Sequence, residues 1–197
     1  MITAIQILVQ EHRVIESMLL CLERLVDNMQ RQKKLDSAYA LTIITFLREF
    51  ADACHHGKEE DVLFKFSDAK TGGHGPVEVL IEEHSQGRGY VGEMIKSLNK
   101  AGEGDPHAIS VFSDNALDLT DMLRRHIERE DKVVFPMIEE LCQSEDAEKL
   151  WKDCVAVEKD AGGNRHKEFI TSAKSCCNYF NVPFPEKSIS ELVIQFA

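Results

Sequence analysis

Residues 54–64 read Cys-His-His-Gly-Lys-Glu-Glu-Asp-Val-Leu-Phe, and residues 126–135 read His-Ile-Glu-Arg-Glu-Asp-Lys-Val-Val-Phe. In each stretch a histidine precedes a glutamate by four residues, His55 with Glu59 and His126 with Glu130, and a phenylalanine follows at the same offset, Phe64 and Phe135. Spacing of i, i+4 places an imidazole and a carboxylate on one face of a helix. That face is apolar on either side: Ile44, Leu47 and Ala51 lead into His55, with Val62 and Phe66 beyond it. Leu119 and Leu123 lead into His126, with Val133, Met137 and Leu141 beyond. Polar residues therefore stand where a helix should meet a core.

Two further runs show the same interruption. From Thr3, which with Gln6 has capping-box spacing, Ile5, Leu8, Ile15, Leu19, Leu22, Val26 and Met29 recur at helical intervals, and His12 fills the gap. After the breaker Thr71 to Gly75, Pro76 opens a run of Val77, Leu80, Val91, Ile95 and Leu98 interrupted by His84. Asp105 and Pro106 make an N-cap and first-turn pair ahead of the last run. Four amphipathic runs with short polar connections predict an all-α, up-down-up-down four-helix bundle over residues 1–145. Residues 146–197 are expected to form a helical extension, interrupted at Ala161 to Asn164, and an irregular tail with an apolar segment near Leu192 to Phe196.

The composition restricts the function. The chain has 197 residues, and 34 acidic against 23 basic residues leave a formal charge of -11. A nucleic-acid binder needs a basic face, and no basic cluster exceeds Arg31 to Lys34. No apolar run approaches the roughly 20 residues of a spanning helix, and no signal peptide is evident, so the expectation is a cytoplasmic protein without a membrane partner. The six cysteines show no CxxC pair, and Cys176 and Cys177 are adjacent, which suits reduced thiols; Cys54 reads as a buried structural thiol.

Burying four imidazoles and two carboxylates without strong partners would cost several kcal/mol for each charged group. A metal centre removes that cost. At 1.5 Å per residue, His12 and His84 lie about 12 Å into their helices, and Glu59 and Glu130 about 15 to 18 Å from the ends of theirs, so all six side chains can share one layer. The expected ligands are His12, His55, Glu59, His84, His126 and Glu130. A nitrogen and oxygen set without thiolate suits iron, manganese or zinc, and its size suits two iron ions bridged by the glutamates. Periodicity places His56 and Glu60 on the solvated side or, at most, behind the ligands: stepping back from His56 meets Asp52, Arg48 and Thr45. His74 and His107 fall in loops and His166 in the extension, and none is expected to bind metal.

These residues resemble the hemerythrin-like family, the HHE cation-binding domains, over about residues 4 to 142. The carriers are Glu11 to Glu16, Cys54 to Phe64, Glu83-His84 and His126 to Pro136. The resemblance implies a non-heme diiron site with an oxo or hydroxo bridge, His12 and His126 on one iron, His55 and His84 on the other, and both glutamates across the pair. The oxygen-carrying members have a further histidine where Arg88 stands, and an aspartate five residues after the last histidine. The set here is instead similar to members that handle nitric oxide, sense iron or repair iron centres. The expected function is binding or sensing of dioxygen, nitric oxide or iron. The alternative is a diiron oxidoreductase that reduces nitric oxide or peroxide, or a repair protein. The sequence gives no protein partner.

Overall fold

The structure, a computed structural model, describes residues 3–73, 76–161 and 165–185. His74, the Gly162 to Asn164 part of the expected break and the apolar segment near Leu192 lie outside the described residues.

The first rod, α1 (Ala4–Gln32), starts at the expected capping box: the Thr3 side chain accepts from the Gln6 amide and the Gln6 side chain accepts from the Thr3 amide. It ends at Lys33, which takes the left-handed conformation, and Leu35 then anchors the connection, buried with its amide on the Ala101 carbonyl at 3.0 Å. The second rod is composite. α2 (Ser37–Phe46) passes into π-helical turns at Leu47–His56 and Glu59–Leu63 and continues as α3 (Phe64–Thr71). The third rod is α4 (Val77–Glu103), closed by Gly104 at a φ of 90°, where a side chain would be strained. The fourth is α5 (Pro106–Arg129), capped by Asp105, with a π-helical turn at Glu130–Val134 and then α6 (Phe135–Leu141). The described residues are helical with no strand, and these four rods form the expected all-α bundle.

Two more helices, α7 (Ser144–Asp160) and α8 (His166–Phe180), share its interior. Leu150 and Cys154 of α7 pack in one core with Leu8, Leu63, Leu80 and Phe135. Phe169, Ile170, Ala173 and Cys177 of α8 join the other, around Met18, Leu22, Ile43 and Phe50. The polar layer of the bundle lies between these two apolar regions.

The π turns change which residues face inward. The Phe64 amide bonds the Glu59 carbonyl and the Phe135 amide bonds the Glu130 carbonyl, five residues back instead of four. One extra residue in the turn shifts every later side chain around the rod. The even α spacing put Val133 and Phe66 toward the core; Phe66 does pack against it, but Val133 is 53% exposed, and Val134, Phe135, Leu63 and Phe64 are buried.

Candidate metal centre

Each expected ligand is delivered by a different part of the bundle, and the structure brings all six together. His12 comes from α1, His55 and Glu59 from the two π turns of the second rod, His84 from α4, and His126 and Glu130 from the end of the fourth rod. All six are buried. Both carboxylates sit at the first residue of a π turn.

Every imidazole at this layer is held from behind. The Nδ1 of His12 meets Asp131 at 2.8 Å, that of His55 meets Glu11 at 2.8 Å, that of His84 meets Glu60 at 2.7 Å and that of His126 meets Glu83 at 2.9 Å. A carboxylate on Nδ1 fixes that nitrogen as the N–H donor and leaves Nε2 as a lone-pair donor, the outer arrangement of a histidine that ligates metal. Arginines hold three of those carboxylates in turn: Arg13 pairs with Asp131, Arg88 with Glu60 and Arg129 with Glu83.

The inner atoms confront one another. His12 Nε2 is 3.2 Å from Glu130 Oε2, His55 Nε2 is 3.2 Å from Glu59 Oε1, and His126 Nε2 is 3.3 Å from Glu130 Oε2. His84 Nε2 lies 3.5 Å from Glu59 Oε2 and 3.0 Å from His126 Nε2. Yet His12 Nε2 and both oxygens of Glu59 and of Glu130 have no hydrogen bond at all. Buried acceptors left in this way are expensive unless something of opposite charge lies between them. The donor chemistry and the orphaned atoms fit metal cations.

The donors fall into two groups that share Glu59: His12, His55, Glu59 and Glu130, and His56, Glu59, His84 and His126. Each carboxylate also faces one histidine of either group: Glu130 Oε2 meets His12 and His126, and the Glu59 oxygens meet His55 and His84. One expectation is corrected here, the placement of His56. His56 is not a surface residue. It is 8% exposed, and its ring stacks on His84 at a centroid distance of 3.8 Å with Nδ1 3.3 Å from Asp52. The α periodicity that placed it outside does not hold in a π-helical stretch, where consecutive residues His55 and His56 both reach the bundle interior. Glu60 stands behind His84, as the sequence allowed.

Charge follows the same pattern. Burial opposes ionisation of Glu59, but the imidazoles of His55 and His12 outweigh it and hold its carboxyl well below the usual range. Burial, and then the Glu59 charge, push Glu130 up to about 8. Burial draws His126 down to about 4.

Sequence reasoning missed a second buried cluster behind His55. Lys58 Nζ contacts Glu11 and lies 2.8 Å from Glu158 of α7. Glu158 also accepts from Cys54 Sγ at 2.7 Å and meets His166 Nδ1 of α8 at 2.8 Å. Glu11, Cys54, Glu158 and His166 are near enough for a metal group, but the Lys58 ammonium supplies the cation. The only local signal was a lysine inside the second polar interruption.

Two carboxylates set between imidazoles inside a helical bundle define a cation-binding helical protein. The chain belongs to the hemerythrin family: the model of the hemerythrin HHE cation binding domain matches residues 3–138. No curated protein and no solved structure matches it in the corresponding comparisons. Among the described residues no helix is long and apolar enough to cross a membrane.

Proposed function

We propose that this hemerythrin-family protein holds two non-heme iron ions and binds or senses dioxygen or nitric oxide at them. His12, His55, His84 and His126, with His56 beside them, would hold the ions together with the carboxylates of Glu59 and Glu130. The carrying observation is the set of imidazoles whose Nδ1 atoms are fixed by carboxylates while unsatisfied oxygens of Glu59 and Glu130 lie between them. Iron bound there supplies a redox-active Lewis acid for a diatomic ligand. Manganese or zinc fits the same donors, and metal analysis distinguishes them. The free cysteines suit a reducing compartment, and we place the protein in the cytoplasm.

The test is metal content with the optical spectrum of the anaerobically reduced protein, exposed first to dioxygen and then to nitric oxide. Two irons per chain and a stable spectral change with either gas support the proposal. No bound metal, or metal retained when Glu59 and Glu130 are both alanine, defeats it. Multiple turnovers of nitric oxide or peroxide with added reductant would make the protein an oxidoreductase. The open approach to His56 and His84 described below favours that as the second reading.

A further inference from the structure

A half-open cavity of about 310 Å³ reaches the histidine layer from one side only, between the second rod and α4. Its polar end is made by His56 and His84 with Asp52 and Arg88, whose guanidinium is 2.8 Å from Asp52. From there it follows α4 to Ile95, with Leu47, Ala51, Val91, Leu119 and Leu123 as walls. From His84 to Ile95 the helix advances about 16 Å. The cavity is thus an elongated slot, polar at the histidine end and mostly apolar along its length, with Arg48 beside Leu47 as a charged side chain of the lining.

A diatomic molecule leaves such a space almost empty. An apolar cavity of about 150 Å³ already accommodates benzene, and this one is twice that volume. Gly92 supplies an independent observation. It lies inside α4, where glycine costs about 0.5 to 1 kcal/mol relative to alanine, yet a Cβ there would meet no atom within 4 Å. Packing within the protein does not require a glycine at that place, and Gly92 lines the cavity.

We propose that this cavity binds a medium-chain aliphatic carboxylate, its head at the His56, His84 and Arg88 end and its chain along Ala51 and Val91 toward Leu47 and Ile95. The oxygen-donor head suits a cation held at that end, because the Nδ1 atoms of His56 and His84 and the Arg88 guanidinium are already engaged by Asp52 and Glu60. The elongated apolar lining suits an extended alkyl chain. This goes beyond gas binding, and only the head group depends on the metal reading.

The experiment is calorimetric titration of the metal-loaded full chain with sodium butanoate, hexanoate, octanoate and dodecanoate, with iron measured on the same sample. The Kd should tighten about fourfold per methylene from butanoate to octanoate and level off by dodecanoate, where the slot ends. Gly92→Leu fills the space and favours the helix, so it should fold, keep its iron and bind octanoate at least tenfold more weakly. A Kd independent of chain length, or wild-type octanoate binding by Gly92→Leu, overturns the proposal. Octan-1-ol binding as tightly as octanoate overturns the carboxylate head. Chain-length dependence in a protein that fails to hold iron would sink the diiron reading and support the cavity. Iron without chain-length dependence does the reverse.

Discussion

Lys58 Nζ lies 2.8 Å from Glu158 Oε2, and the same ammonium contacts Glu11, which hydrogen-bonds the metal-layer histidine His55. A residue of α7 is thereby joined to the candidate metal centre through two buried ion pairs. Burial disfavours the Lys58 charge, but the neighbouring groups, Glu11 foremost and Glu158 with it, together outweigh burial and raise the ammonium above its ordinary range.

Breaking that pair from one side leaves the buried carboxylates of Glu11 and Glu158 without their counter-charge. Lys58→Met should cost about 3 to 5 kcal/mol of stability, read from urea unfolding of the metal-free protein. Pairing it with Glu158→Leu should recover part of the loss. Additive losses in the double variant would show that the two residues are not coupled.

The extension should respond to acid. Burial opposes ionisation of Glu158, but the His166 hydrogen bond and the Lys58 charge win and hold it at about 2, against an ordinary 4.5. A depressed carboxyl contributes stability above its unfolded pKa and loses it as pH falls through the folded one. Stability from this group is therefore present above 4.5 and lost between 4.5 and about 2. Unfolding midpoints across that window should fall less steeply in Glu158→Gln than in wild type. Identical slopes would remove Glu158 from the account.

His56 and His55 should both matter for metal. His56→Ala is expected to lower iron from two equivalents toward one, and His55→Ala to do the same at the other position, whereas loop residue His107→Ala keeps both. Quantitative metal analysis decides it. Full loading of His56→Ala with an unchanged spectrum would restore the sequence-based view of that residue.

The carboxylates behind the imidazoles should tune affinity. Asp131→Asn and Glu83→Gln keep the shape and remove the charge that fixes His12 and His126. Each should weaken iron binding by about 10- to 100-fold, measured by competition with a chelator of known affinity. Losses below twofold would assign these residues to surface salt bridges alone.

Phe135 packs flat on His12, with ring centroids 5.4 Å apart and planes 6° from parallel, and is 1% exposed. Phe135→Ala should cost about 3 to 5 kcal/mol and let solvent reach the His12 side. The loss in thermal unfolding should accompany faster metal release. Unchanged release would show that His12 is positioned by Asp131 alone.

What the sequence by itself determined is local. Four apolar stripes, the Thr3 box, the Asp105 cap and the two HxxxE interruptions follow from helical periodicity and neighbouring residues, and they suffice for the bundle and for six converging donors. Only the tertiary structure decided the rest. A residue added to a turn changes face without changing composition, so the π turns admitted His56 and exchanged Val133 for Val134. Lys58 and Glu158 are 100 residues apart, and no periodicity relates them. They meet because burying the apolar faces of α7 and α8 against the bundle places Glu158 and His166 behind His55. A buried lysine must then find its counter-charges within reach.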